Sequence, residues 1–123
     1  MYERILVGTD GSATAAKAVD RAAEVASATK ARLTVVSVGR PDQAEQVVSA
    51  ERDRLQAHHP DLAVETTTAV GDPASVLADL ASGYDLLVVG NKGMTGASRF
   101  LLGSVPNKVS HHSPCSLLIV HTT

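Results

Sequence analysis

Three glycines and a serine near the end of the chain have the spacing best suited to chemistry: Gly90, two residues, Gly93, nine residues, Gly103, then Ser104. A glycine backbone can approach a ligand closely and can take positive φ, both of which a side chain obstructs. Gly103 and Ser104 stand where a new helix, read from about residue 105 to 112, leaves its first N–H donors unpaired. A helix start of that kind, with donors exposed and its dipole aimed outward, holds anions. The chemistry it suggests is phosphate cradling. Lys92 can pair with a phosphate and Arg99 can swing over it, although Lys and Arg are more often solvated loop charges. Far upstream, Asp10 lies in the turn Thr9-Asp10-Gly11-Ser12. A carboxylate there can accept hydrogen bonds from ribose hydroxyls; the plainer reading is a turn residue capping the nearby helix start.

The elements that must position these residues follow from periodicity. Residues 4–7 form a short apolar strand ending at Gly8, and Ser12 is a good N-cap for the helix behind it. Ala16, Val19, Ala23 and Ala26 recur at helical spacing on that helix. Residues 33–38 make a second strand, β-branched and apolar enough to be buried. Pro41-Asp42 opens a second helix, with Glu45 three residues after Asp42 as in a capping box, and the helix ends near His58-His59-Pro60. Residues 62–70 alternate as a third strand with one less-buried face. Asp72-Pro73 starts a third helix that Gly83 closes. Residues 85–89 carry four consecutive apolar side chains, which argues for a central strand covered on both faces. The glycine loop, a fourth helix and a last strand over 116–120 complete the chain.

This order, βαβαβαβαβ, predicts the α/β class: one domain over residues 1–123, an open five-stranded parallel sheet with helices on both faces. In such folds ligands bind beyond the carboxyl ends of the strands, where strand order switches. The turn with Asp10 and the loop with Gly90 and Gly93 both leave that edge. If the first and fourth strands are neighbours, the two converge on one pocket.

The rest of the chain resembles one family as well. Gly-x2-Gly-x9-Gly-Ser at Gly90, Gly93, Gly103 and Ser104 is similar to the nucleotide-binding signature of the universal stress proteins. Residues 5–12, Ile-Leu-Val-Gly-Thr-Asp-Gly-Ser, resemble that family's first strand and its Asp-bearing turn, and residues 113–120 its last strand. The resemblance implies a Rossmann-like fold of the adenine nucleotide alpha hydrolase type. It implies ATP as ligand, with Mg2+ or Mn2+ accompanying the phosphates. Asp10 would bind ribose or adenine-side groups and Val38 would offer backbone contacts to the base. Gly90, Asn91, Lys92, Gly93, Gly103, Ser104 and Val105 would line ribose and phosphates. It further implies a homodimer paired through the last strand and a nucleotide-responsive regulatory role in stress adaptation, with protein partners the sequence does not name. Two departures bear on affinity: the segment between the second and third strands is short, and Pro106 removes one backbone donor beside Ser104.

Composition excludes other classes. The chain has 123 residues, a net charge of −2 with its signs interspersed, and only Tyr2, Tyr84 and Phe100 as aromatics. Neither a general pull toward nucleic acid or anionic membranes nor a stacking platform is expected. One cysteine fits a reducing cytoplasm, and no apolar run approaches the ~18 residues of a membrane span. Dedicated catalysts lack their parts: there is no Gly-x4-Gly-Lys-Ser/Thr, no Gly-x-Gly-x-x-Gly after the first strand, no acid cluster and no nucleophile elbow. His58-His59 and His111-His112 are adjacent residues, which face different ways on a helix, so dipole-favoured helix ends explain them better than a metal does. Cys115 has no activating base and reads as a packing residue. Besides the nucleotide module, two functions stay open: a nucleotide-free scaffold of the same fold, and a slow ATPase or self-phosphorylating protein with Ser104 as acceptor.

Overall fold

The computed structural model describes residues 2–91 and 115–121. Within them the elements run β1 (Arg4–Gly8), α1 (Ala13–Thr29), β2 (Arg32–Val38), α2 (Pro41–His58), β3 (Val64–Ala69), α3 (Pro73–Ala81), β4 (Leu86–Gly90) and β5 (Ser116–Val120). The five strands form one parallel sheet in the order β3-β2-β1-β4-β5. The expected α/β class and Rossmann-like wrapping are therefore present, and β1 and β4 are neighbours, with Val7 opposite Val88.

Two-residue alternation divides each central strand between two cores. Ile5, Val7, Leu33, Val35, Leu86 and Val88 face α1 and α2, together with Val48 and Leu55. Leu6, Val36, Leu87 and Val89 face the opposite side, against Ala74, Leu77, Ala78 and Ala81 of α3. A strand buried on both faces needs no polar face, which is why all five residues of β4 are apolar or glycine and buried. The buried stripe of α1 is Ala15, Ala18, Val19, Ala22, Ala23 and Ala26. Small side chains let its backbone lie close over the sheet. At the far edge, β3 keeps a row of half-buried threonines, Thr66 to Thr68, as suits a strand with one neighbour.

Several local expectations need correction. The capping box on α2 does not form. Arg40 is its N-cap, no side chain caps it, and Asp42 has moved into the first turn. Pro41 takes the first helical position, where its fixed φ and missing N–H cost nothing, and this shifts the start by two residues. Helix α3 ends on Ser82 in right-handed conformation, so Gly83 is not a left-handed stop. The third strand is shorter than 62–70, and the fourth begins at Leu86. Asp85 instead turns its carboxylate to the N–H groups of Glu3 and Arg4, each at 2.9 Å, pinning the start of β1 beside β4. The fourth helix lies outside the described residues.

Candidate functional site

Asp10, Val38, Gly90 and Asn91 stand at the carboxyl edge of the sheet, whose best-defined part is the turn after β1. Thr9 is buried, and its N–H donates to the Val36 carbonyl at 3.0 Å, extending the β1–β2 pairing by one residue. Its hydroxyl Oγ1 accepts the Gly11 N–H at 3.0 Å. Gly11 can follow because its φ is +82°, a value a β-carbon makes costly. Asp10 Oδ1 accepts the Ser12 N–H at 2.9 Å, and Ser12 Oγ caps α1 by accepting the Ala15 N–H at 3.1 Å. Asp10 is thus a turn residue, but the cap of α1 is Ser12 and not Asp10. The bond to the Ser12 N–H fixes the carboxylate at the sheet edge, so the turn and ligand readings of this residue are compatible.

The neighbouring strand ends complete the edge. Val38 closes β2 opposite Ala69, and the Gly39 N–H donates to the Ala69 carbonyl at 2.9 Å. Gly90 closes β4 opposite Val120, and the Asn91 N–H donates to the Val120 carbonyl at 2.9 Å. Asp10, Val38, Gly90 and Asn91 are therefore carried to one edge by adjacent strands. Lys92, Gly93, Gly103, Ser104 and Val105 lie outside the described residues, as do Arg99 and Pro106.

Some residues of this edge escaped the sequence reading. His121 follows β5 as Asn91 follows β4, and its Nδ1 lies 3.4 Å from Asn91 Nδ2. Its sequence neighbours carry no motif, and only the pairing of β4 with β5 brings it beside Asn91. Thr9 carries no signal either, because its hydroxyl matters only through the turn it braces. Gly8 is a further case: a Cβ there would meet Cδ1 and Cδ2 of Leu77 at 3.2 Å, so α3 can sit close against the end of β1.

Groups away from this edge have structural duties. Cys115 is buried beside the α3 face, and burial pushes its thiol up, away from the reactive thiolate. His58 ends α2 and His59 caps it. No group of three or more metal-ligating side chains occurs among the described residues. No helix among them is long and apolar enough to cross a membrane.

With this geometry in hand, comparison with known proteins is decisive about ancestry. The family model described as the universal stress protein family matches residues 1–121. The chain belongs to the universal stress protein family. Among curated members, a universal stress protein of Mycobacterium tuberculosis is 37% identical, over 99% of this chain and 98% of that protein. One of Bacillus subtilis is 32% identical, over 98% and 99%. A crystal structure of a universal stress protein in complex with cAMP superposes with a TM-score of 0.79 at 41% identity, covering 99% of this chain and 98% of that one. The Mycobacterium alignment runs over 144 positions, more than the 123 residues of this chain, so part of that relative has no counterpart here.

Proposed function

We propose that this universal stress protein is an adenine-nucleotide-binding regulatory module, with ATP as its ligand. One observation carries the reading: the Asp10 turn and the exit of β4 at Gly90 leave adjacent strands at the same edge of the sheet. That pairing is the switch point at which open α/β sheets bind ligands. The Gly90-x2-Gly93-x9-Gly103-Ser104 spacing begins at this exit and has the character of a phosphate loop. The 41%-identical relative solved with cAMP supports an adenine ligand.

In this reading Asp10, oriented by the Ser12 N–H, accepts ribose hydroxyls, and the backbone of Val38 meets the base. Gly90 and Gly93 admit the sugar and phosphates, which end on Gly103, Ser104 and Val105, with Asn91 and Lys92 beside them. Mg2+ or Mn2+ would accompany the phosphates and neutralise part of their charge. The protein acts in the cytoplasm as a homodimer joined along β5, and nucleotide occupancy biases its choice of partner. The apolar sequence of β5 supports that pairing, since β5 has a strand on only one side among the described residues.

A thermal-shift titration tests the reading. ATP at about one hundred times its Kd should stabilise the fold by about 2.7 kcal/mol. Asp10→Ala should need markedly more ATP for the same rise. A wild-type melting curve indifferent to ATP and cAMP would favour a nucleotide-free scaffold. Light scattering that finds a monomer at working concentration would remove the dimer.

A further inference from the structure

In the reading above the base is met by the backbone of Val38, which does not by itself distinguish adenine from another base. The first turns of α2 supply side chains that can. Gly11, next to Asp10, lies against this helix so closely that a Cβ on it would stand 3.0 Å from Cγ2 of Val47. Beside this contact opens a cavity of about 420 Å3 lined by Gly11, Gln43, Gln46, Val47, Ala50 and Glu51. Positions 43, 46, 47 and 50 lie on one stripe of the helix, and Ala50 is small enough to leave room. Only Gly39 and Arg40 separate the end of β2 from the start of α2, so the stripe begins next to the edge where Val38 ends.

The polar groups of the cavity decide what it suits. Glu51 is its one acidic side chain, and Arg54 engages both of its oxygens, Nε on Oε1 and Nη2 on Oε2. Among the described residues no cation lines the cavity. Gln43 and Gln46 are exposed and make no side-chain hydrogen bond among the described residues. Each amide offers one donor and one acceptor side by side. That pair complements N6 and N7 of adenine, where guanine presents two acceptors.

We propose that Gln43 and Gln46 read the base of the bound nucleotide and select adenine. This rests on the nucleotide reading of the carboxyl edge and adds to it the source of base specificity. Calorimetric titrations with the pairs ATP/GTP and cAMP/cGMP hold the phosphates constant while the base changes. The wild type should prefer the adenine member of each pair. Gln43→Ala/Gln46→Ala should lose that preference by about tenfold, as expected of a bidentate base contact. Gln46→Glu, which keeps the size but replaces the amide donor with a charge, should also narrow the ATP/GTP ratio, which repulsion of the phosphates alone would leave unchanged. Both side chains are exposed, so far-UV circular dichroism and Tm should not change. Retention of the preference by the double variant, or equal wild-type binding of both bases, overturns the inference and leaves nucleotide binding standing. A wild type that binds none of the four ligands overturns both.

Discussion

Asp10 shows how one carboxylate serves a turn and a ligand edge together. By taking the Ser12 N–H on Oδ1 it closes the turn after β1, and by doing so it is held at the strand's exit. Its position in the motif was legible because Asp and Gly are turn formers with a mechanism. Thr9 and His121 were not, since each acts through a partner distant in sequence or through a buried backbone group. At Gly11, positive φ and the nearby Val47 act together, so Gly11→Val should destabilise the fold by about 1–3 kcal/mol in chemical denaturation. At the opposite edge, the N–H groups of Glu3 and then Arg4 hold the Asp85 carboxyl below its ordinary value. A group with a lowered folded value stabilises the fold above its unfolded value and loses that contribution as pH falls. Asp85→Asn should therefore lower Tm at neutral pH, with the two melting curves converging below about pH 4. A gap that persisted at low pH would contradict the role assigned to the charge.

Helix starts in this chain show where local rules compete. Ser12 and Asp72 cap α1 and α3 with real bonds, to the N–H groups of Ala15 and Ser75 at 3.1 and 3.0 Å. Ser12 prevailed over Asp10 two residues earlier, whose carboxylate accepts the Ser12 N–H instead, and Asp72 is followed directly by Pro73. On α2 the capping-box spacing and the preference of proline for the first helical position pointed to different registers, and proline prevailed. Asp42 keeps only an exposed ion pair with Arg40 at 3.9 Å. Ser12→Ala and Asp72→Ala should each cost about 1 kcal/mol in urea unfolding. Asp42→Ala should cost well under half of that, as exposed pairs do. Equal losses at all three positions would mean that α2 is capped by Asp42 after all. The lack of a left-handed residue after α3 belongs to the same class of error, because glycine permits that stop without requiring it.

At the scale of the whole molecule, the alternation of strands and helices gave the class, the parallel sheet and the two cores. It did not give the order of strands. β1 and β4 pair across some eighty residues, a contact that local periodicity cannot encode. The order follows instead from α3 crossing to the other face, which carries the chain back past β1. That crossing creates the switch point on which the nucleotide reading depends. Calorimetric titration of nucleotide-stripped protein with ATP and Mg2+, alongside Gly103→Val, tests whether that switch point binds nucleotide. Saturable binding by the wild type, and its loss in a variant that is still folded, is the expected result. Binding unaltered by Gly103→Val, or a well-folded wild type that takes up no nucleotide, would contradict the nucleotide reading.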